Sequence, residues 1–312
     1  MLYINNPRDY NGNAPSVVTI GKFDGIHKGH QKLFEQVNSY REQGYVSIVF
    51  TFNVQPASLI SNNDISSIMT SEEMRRELEN KNIDVLLECP FTEELMHMEP
   101  EAFLTEILIG RLHMKHLVVG TDFKMGYKGR GDTAFLKARE SDSGYKLDVV
   151  PDQTYQGERI SSTTIRSLIT EGDLDTAAKL LGRYYYFDGV VVQGRHLGHE
   201  LGFPTINIIP DPRKTMPPGG VYAAVCRLAN GEVYNGAANI GRNPTIAPDN
   251  STTLEMHLFD FEGELYDSKV EISLVHYIRP EQRFDSIEAL REQLNNDMQQ
   301  VREYFLYIAN RL

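Results

Sequence analysis

The sequence predicts a doubly wound α/β domain followed by an antiparallel β-barrel or sandwich that ends in a helix. Between about residues 15 and 150, short β-rich runs alternate with helical stretches, which is typical of a parallel sheet with helices on both faces. After about residue 184, β-branched and aromatic runs are separated by Gly, Pro and Asn turns, which is typical of antiparallel strands. We therefore predict two domains, 1–183 and 184–312.

The elements of the first half follow from hydrophobic runs and helix-capping residues. Four near-continuous apolar runs are typical of buried parallel strands: "SVVTIG" (16–21), "YVSIVFTF" (45–52), "IDVLLECP" (83–90) and "HLVVGTDF" (116–123). Helices are predicted in "QKLFEQVNSYREQG" (31–44), "SEEMRRELENKN" (71–82), "EAFLTEILIGRL" (101–112), "STTIRSLITEG" (162–172) and "DLDTAAKLLG" (173–182). We expect Ser71 and Asp173 to cap two of these helices, and Gly172 and Gly182 to end the last two.

The elements of the second half are five strand-like runs and one long helix. The runs are "YYFDGVVVQG" (185–194), "GVYAAVCRL" (220–228), "EVYNGAANIG" (232–241), "TLEMHLFDF" (253–261) and "KVEISLVHYI" (269–278). In the last stretch, apolar residues recur every three or four positions, at Phe284, Ile287, Leu290, Leu294, Met298, Val301, Phe305 and Ile308. This spacing predicts a helix whose apolar face packs on the strands.

The composition limits the classes of partner. Of 312 residues, 41% are hydrophobic, and 31 basic against 43 acidic residues give a net charge of −12. This charge argues against nucleic acid or an anionic membrane as a partner, but a small phosphorylated ligand needs only a local group of donors. No apolar run approaches the roughly 20 residues of a membrane span, and no secretion signal is visible, so we expect a cytoplasmic protein. Cys89 and Cys226 lie too far apart in the sequence to suggest a disulfide framework or a cysteine zinc site.

The stretch "GKFDGIHKGH" (21–30) combines three glycines and two histidines directly after a predicted strand. Glycine permits close approach of the backbone, and the start of the following helix offers free N–H groups and the positive end of the helix dipole. A phosphate site is therefore one interpretation, with His27 and His30 as hydrogen-bond donors. A metal site is a second interpretation, although a third ligand is missing. A polar turn without function is the third.

Motifs further along the chain give the stretch a family resemblance. The H-x-G-H of residues 27–30 resembles the signature of the nucleotidylyltransferase superfamily, and "GKFDGIHKGH" is similar to that of the prokaryotic bifunctional riboflavin kinase/FAD synthetases. The superfamily adds a late (S/T)-x-x-R motif, which "ISSTTIRS" (160–167) supplies with Thr163 and Arg166. An arginine in the first turn opposes the helix dipole, which favours a role in holding an anion.

Two loops of the first half resemble flavin-binding segments of the same family. "VVGTDFKMG" (118–126) contains Asp122 and Phe123, with Met125 where the family usually has phenylalanine. "TFNVQP" (51–56) is similar to the family's T-F-x-P-x-P and contains Asn53. The resemblance implies that Asp122 and Phe123 lie near the flavin ring and that Asn53 contacts the flavin.

The second half resembles the riboflavin kinase part of the family. "GVVVQGRHLGHELGFPTINI" (189–208) is similar to a signature built around G-F-P-T-A-N. Thr205 and Asn207 are two positions apart on an extended segment, so their side chains share a face and could offer two oxygens to Mg²⁺. "LEMHLFDF" (254–261) places Glu255 and His257 on one face of a probable strand, and "NIGRNPT" (239–245) begins with Asn239.

The resemblance covers nearly the whole chain and implies its fold, activity and site. It implies a nucleotidylyltransferase-like α/β domain that makes FAD and pyrophosphate from FMN and ATP, followed by an antiparallel β-barrel domain with a C-terminal helix that makes FMN from riboflavin and ATP. Glu255 would be the kinase's general base, and His27, His30 and Arg166 would hold the phosphates during adenylyl transfer. The implied ATP-binding residues are Gly21, Phe23, Asp24, Gly25, His27, Gly29, His30, Thr163, Arg166, Gly194, His199, Gly202, Pro204 and Thr205. The implied flavin-binding residues are Asn53, Asp122, Phe123, Asn239 and Glu255.

We expect Mg²⁺ as the cofactor, held by Thr205 and Asn207, and small molecules as the partners of a monomer or weak homo-oligomer. One alternative is a monofunctional FAD synthetase with a degenerate kinase domain, because His199, Ile206 and Asp267 depart from the family pattern. A second alternative is a flavin-binding regulatory protein that acts on RNA, against which the acidic composition argues. A class I tRNA synthetase would need a K-M-S-K-S-like loop, which the sequence does not contain.

Overall fold

The computed structural model describes residues 1–53, 66–194, 202–242 and 252–310. His199, one of the implied ATP-binding residues, lies outside these ranges. The chain divides into two compact units, Met1–Ser162 and Thr163–Leu312. The predicted boundary at 183/184 concerns the two activities and stays a prediction. Among the helices in the described ranges, none combines the length and the apolar character that a membrane span requires.

The first unit contains a six-stranded parallel sheet with helices on both faces. Its strands, in chain order, are β1 (Leu2–Ile4), β2 (Ser16–Ile20), β3 (Val46–Phe52), β4 (Val85–Cys89), β5 (Met114–Gly120), β6 (Lys124–Met125), β7 (Gly131–Asp132), β8 (Lys146–Val150), β9 (Thr154–Tyr155) and β10 (Glu158–Arg159). The sheet has the order β1-β4-β3-β2-β5-β8, whereas β6 pairs with β7 and β9 pairs with β10. Every pairing within the six-stranded sheet is parallel.

The helices of the first unit lie on both faces of this sheet. They are α1 (Lys28–Arg41), α2 (Ser71–Asn80), α3 (Glu93–His97), α4 (Pro100–Ala102), a π-helix (Phe103–Arg111) and α5 (Thr133–Ser143). Val17 packs with Phe34 in a core cluster on one side of β2, and Val18 packs with Leu104 in a second cluster. Successive residues of a strand point to opposite faces, so these two clusters confirm the doubly wound α/β prediction.

One capping prediction is wrong by a single residue. Helix α2 is capped by Thr70, whose hydroxyl accepts from the Glu73 N–H while the Glu73 carboxylate accepts from the Thr70 N–H. Ser71 is the first residue of the helix. Both residues carry a hydroxyl, and the reciprocal bond to Glu73 favours Thr70, which stands three positions before it.

In the part of the chain that the structure describes, the second unit contains a curled antiparallel sheet and three helices. Its elements are α6 (Ser162–Glu171, whose first residue belongs to the first unit), α7 (Leu174–Leu181), β11 (Tyr185–Val190), β12 (Ile206–Ile208), β13 (Gly220–Leu228), β14 (Val233–Arg242), β15 (Thr252–Leu258), β16 (Lys269–Pro280) and α8 (Ile287–Ala309). The sheet has the order β11-β16-β13-β14-β15-β12. Its two edges meet where Val192, just after β11, forms an antiparallel bridge with Asn207 of β12. Asp173 caps α7 and Gly182 ends it in the left-handed conformation, as predicted.

Helix α8 packs on the sheet through its apolar face. Val301 is fully buried in a cluster with Ala223, Ala237 and Phe259, and Met298 packs against the same cluster. This arrangement confirms the antiparallel barrel-like domain with a C-terminal helix.

Candidate active sites

The first unit has a cavity of about 280 Å³ at the carboxyl ends of its central strands. We call it the first-unit cavity. From β2 the chain proceeds through β3 and β4 toward one edge of the sheet, whereas β5 and β8 lie on the other side of β2. The sheet order therefore reverses between β2 and β5, and ligands of doubly wound proteins bind at such a point. The cavity brings together seven predicted site residues: Gly21, Phe23, His27, Gly29, His30, Asp122 and Phe123.

His27 is the N-cap of helix α1. Its Nδ1 accepts a hydrogen bond from the His30 backbone N–H at 3.4 Å, and the His27 and His30 rings stack with centroids 3.6 Å apart. Because Nδ1 accepts, the neutral His27 ring carries its proton on Nε2. His27 can therefore present an N–H donor beside the N–H groups of the first helical turn, which is an arrangement suited to a phosphate.

Burial lowers the pKa of His30 well below the ordinary histidine value of 6.5, and the nearby His27 and Arg159 add to the shift. The His30 ring meets the edge of the Phe23 ring, with centroids 5.3 Å apart. Its Nδ1 is a buried atom without a hydrogen-bond partner in the described part of the chain. His30 is therefore neutral at pH 7 and has hydrogen-bonding capacity left for a ligand.

The turn between β2 and α1 has an unusual backbone. Phe23, Gly25 and Ile26 have φ angles of 50°, 81° and 41°. A positive φ is rare for a β-branched residue such as Ile26, and it persists only where the surroundings hold it. Phe23 and Ile26 are almost completely buried, so core packing holds the turn in the shape that presents His27 and His30.

Asp24 stabilises this turn through hydrogen bonds. Its carboxylate accepts hydrogen bonds from the backbone N–H groups of Ile68 and Met69 at 2.8 and 3.4 Å, and its carbonyl accepts one from the Ser162 hydroxyl. Asp24 and Gly25 are not among the described residues that line the first-unit cavity. The family resemblance implies that both residues bind ATP, and that role stays a prediction.

Asp122 and Phe123 follow β5 on the far side of the first-unit cavity. Asp122 forms a 2.7 Å ion pair with Arg159, which also reaches Asp152 at 3.2 Å. Arg159 is a cavity residue that sequence reasoning missed. It stands only seven residues before Arg166, but the two-residue strands β9 and β10 carry no pattern that would have drawn attention to it.

Met125, which departs from the family pattern, and Asn53, which is predicted in the flavin site, lie elsewhere in the first unit. Met125 is buried in the apolar core rather than exposed to the cavity. Asn53 is exposed directly after β3, where its backbone N–H donates to the carbonyl of Cys89, and it is outside the described lining of the first-unit cavity.

Thr163 and Arg166 lie in the first turns of helix α6, as the (S/T)-x-x-R motif predicts. Arg166 donates from Nη2 to the Thr163 hydroxyl at 3.3 Å. Ser162, which begins this helix and ends the first unit, lines the first-unit cavity.

In the described ranges of the second unit, the linings of two cavities both include Thr205. The larger, of about 920 Å³, is lined by four predicted residues: Gly194, Pro204, Thr205 and Asn207. The smaller, of about 300 Å³, lies between the sheet and helix α8, and its lining includes Asn239, Glu255 and again Thr205. We call these the large and the small second-unit cavities. A group bound at Thr205 can therefore contact ligands in both the large and the small second-unit cavities.

Three polar residues stand at one level of the sheet. Asn207 of β12 is paired with Glu255 of β15, and Glu255 is paired with Asn239 of β14. Directly opposed residues of antiparallel strands share a face, so the three side chains form a row across three strands. The backbone ladder fixes the spacing of this row.

Asn207 is buried, and its Oδ1 has no hydrogen-bond partner in the described ranges. Gly194 lies directly against its amide: a Cβ at position 194 would be 2.4 Å from Asn207 Nδ2. The Asn207 amide oxygen and the Thr205 hydroxyl belong to residues that line the same cavity, and both are oxygen ligands of the kind that fits Mg²⁺. No group of three or more His, Cys, Asp or Glu side chains arranged for a metal occurs in the described part of the chain.

The segment that carries Thr205 is held by His257. His257 donates from Nδ1 to the Pro204 carbonyl at 2.8 Å, and its ring meets the edge of the Phe203 ring. Gly202, with φ of 90°, allows the turn into this segment. His257 is two positions from Glu255 on β15, so the alternation noted in the sequence was the available signal for this supporting residue.

Comparisons with known proteins agree with this division. A family model described as FAD synthetase matches residues 10–164, and one described as riboflavin kinase matches residues 181–305. The chain is 34% identical over 309 residues to the bifunctional riboflavin kinase/FMN adenylyltransferase of Listeria monocytogenes, a match that covers 97% of this chain and 98% of the relative. The relative of the same name from Bacillus subtilis is 35% identical, with 94% and 93% covered.

A solved structure supports the fold over the same length. A crystal structure described as a macrolide-efflux protein from Streptococcus pneumoniae superimposes with a TM-score of 0.86 and 30% identity, and covers 96% of this chain and 98% of its own.

The fold and sites thus define a two-part protein with a nucleotidyltransferase-like unit and a flavokinase-like unit. The chain belongs to the bifunctional riboflavin kinase/FMN adenylyltransferase family.

Proposed function

We propose that this protein phosphorylates riboflavin to FMN and adenylylates FMN to FAD, with ATP as the second substrate of both reactions. The kinase is assigned to residues 184–312 and the adenylyltransferase to residues 1–183. The observation that carries the proposal is the presence of separate cavities in the two units, each with polar side chains in its lining and each within the range matched by the corresponding family model.

In the kinase, Glu255 is the general base. It lies on the riboflavin side of Thr205, in the small second-unit cavity, and accepts the proton of the ribityl 5′-hydroxyl as that oxygen attacks the γ-phosphorus of ATP. ATP occupies the large second-unit cavity, and ADP leaves from there. Thr205 and Asn207 would hold Mg²⁺, which would supply positive charge to neutralise the phosphates.

In the adenylyltransferase, an FMN phosphate oxygen attacks the α-phosphorus of ATP and pyrophosphate leaves. His27 Nε2–H, the neutral His30 ring and the first turn of α1 donate hydrogen bonds to the phosphates, and Arg166 contributes a positive charge. The side chains after β5, Asp122 and Phe123, contact the flavin. We also propose that Asp24 and Gly25 contact ATP and that Asn53 contacts the flavin. We further propose that the enzyme works in the cytoplasm, as a monomer or weak homo-oligomer.

The test is the product profile over time. Purified protein incubated with riboflavin and MgATP should release FMN first and FAD later, and FMN with MgATP should give FAD and pyrophosphate. FAD from FMN, but no product from riboflavin, would show a monofunctional FAD synthetase. Flavin binding without either product would show a flavin-binding regulatory protein.

A further inference from the structure

The small second-unit cavity contains an ion pair that the two reactions do not use. Arg279 of β16 donates to the Asp297 carboxylate of α8 from Nε and Nη2, both at 2.7 Å. The side chain of Asp297 is completely buried and that of Arg279 is 17% exposed. Gln293 adds a third hydrogen bond to the same carboxylate at 2.8 Å.

The pair stands where helix α8 leaves the apolar core. After residue 297, Val301 and its neighbours pack in the core cluster of the second unit. Before it, Leu290 and Leu294 are only half-buried, and both line the small second-unit cavity. These two leucines therefore form an apolar wall on a part of the helix with little packing of its own. Arg279 joins this part to the sheet.

The opposite wall of the cavity is built from paired strands. Arg279 is paired with Val221 of β13 and shares a face with it, and Val221, Ala237 and Asn239 line the cavity from hydrogen-bonded strands. The width of the small second-unit cavity depends on where α8 lies above these strands. A bidentate arginine–carboxylate pair fixes that distance and orientation better than apolar contacts do.

We propose that Arg279 and Asp297 are positioning residues for the flavin ring of riboflavin. The pair holds the Leu290 and Leu294 wall at the distance that admits a flat aromatic ring between helix and sheet. This inference rests on the proposed kinase function. Glu255, Thr205 and Asn207 lie on or beside strands held by the ladder, so the pair sets affinity for riboflavin and leaves the phosphoryl transfer step unchanged.

The test compares riboflavin binding in the full-length protein and in variants of the pair. Replacing both partners by apolar residues, Arg279→Met with Asp297→Leu, leaves no unpaired charge in the protein interior. Such replacements often preserve the stability of the folded protein. We expect the KM and Kd for riboflavin to rise about tenfold or more, because small misplacements of binding groups have large effects. The turnover number, the KM for ATP and the melting temperature should stay close to those of the wild type.

Two further proteins complete the experiment. Arg279→Lys keeps the charge but loses the bidentate geometry, and it should give an intermediate rise in the Kd for riboflavin. The matched control is Arg213→Gln with Asp211→Asn, which removes another bidentate pair from an exposed turn and should change nothing. Riboflavin binding is followed by quenching of flavin fluorescence, so the readout does not depend on turnover.

The outcomes separate the two proposals. If the wild type neither binds nor phosphorylates riboflavin, the proposed function fails. If the wild type does both, and the folded Arg279→Lys and double variants bind riboflavin as tightly as the wild type, only the positioning role is overturned. A double variant that unfolds leaves Arg279→Lys to decide the question.

Discussion

The first-unit cavity is lined by loops that follow parallel strands and by the first turn of α1, whereas the small second-unit cavity is built around side chains on paired antiparallel strands. In the first unit, the turn that presents His27 and His30 is kept in its strained shape by buried Phe23 and Ile26. In the second, backbone hydrogen bonds hold Asn207, Glu255 and Asn239 at one level. The geometry of a site formed by loops depends on how the loops pack on the core. The geometry of a site formed by paired strands depends on the register of those strands.

The largest effect should come from the base of the kinase. Glu255→Gln removes the proton acceptor but keeps the shape, and FMN formation from riboflavin should fall about 10²–10⁴-fold. FAD formation from FMN should stay unchanged, because His27 and His30 lie in the other unit. Chromatography of the products from each substrate measures both activities. Glu292→Gln, at an exposed position of α8, is the control. Equal loss of both activities in Glu255→Gln would contradict the two-site arrangement.

The corresponding experiment in the first unit replaces His30. His30→Gln should lower FAD formation from FMN about 10²–10³-fold, which is the usual effect of removing one donor from a charge-stabilising site. FMN formation from riboflavin should persist. His97→Gln changes an exposed imidazole of the same unit and should leave FAD formation intact. A normal rate of FAD formation in His30→Gln would refute the proposed role of the H-x-G-H motif.

The sequence predicted the first-unit cavity best where its residues are close together in the chain. His27, His30, Gly29 and Phe23 fall within one turn, so a local pattern was sufficient. Arg159 was missed because its partner Asp122 is 37 residues away and the hairpin that carries it has no periodicity. The hydrogen bonds of Asp24 to residues 68 and 69 are equally invisible, since they depend on how two loops pack.

In the second unit, alternation along a strand was the useful signal. It placed Thr205 with Asn207 and Glu255 with His257. It did not show that Asn207, Glu255 and Asn239 stand at one level, because register depends on the whole set of strands. The pairing of Arg279 with Asp297 depends on the orientation of α8 on the sheet, which no pattern in the sequence specifies.

A Gly→Ala substitution beside each site tests the difference between the site formed by loops and the site formed by paired strands. In Gly194→Ala, the new Cβ would lie 2.4 Å from the Asn207 amide, and this buried side chain on β12 has little room to move. In Gly29→Ala, the new Cβ would lie 3.0 Å from His27 Cε1, a longer distance that the ring can accommodate by a shift of a few tenths of an ångström. We expect about a tenfold loss of FMN formation for Gly194→Ala and a smaller loss of FAD formation for Gly29→Ala. Initial rates with saturating substrates measure both, and the reverse ranking would contradict the comparison.

The smallest effect concerns pH and depends on the half-buried ring of His30. In the folded protein, burial holds the pKa of His30 well below 6.5, whereas in the unfolded chain the pKa is near that value. Between these two values the unfolded state binds a proton that the folded state does not, so this group lowers the free energy of unfolding as pH falls below about 6.5. The slope for one proton is at most about 1.4 kcal/mol per pH unit. His30→Gln should therefore lose less stability than the wild type between pH 7.5 and 5.5 in urea unfolding followed by circular dichroism. His97→Gln should follow the wild type, and a His30→Gln variant as sensitive to pH as the wild type would show that the His30 ring is not held neutral by its surroundings.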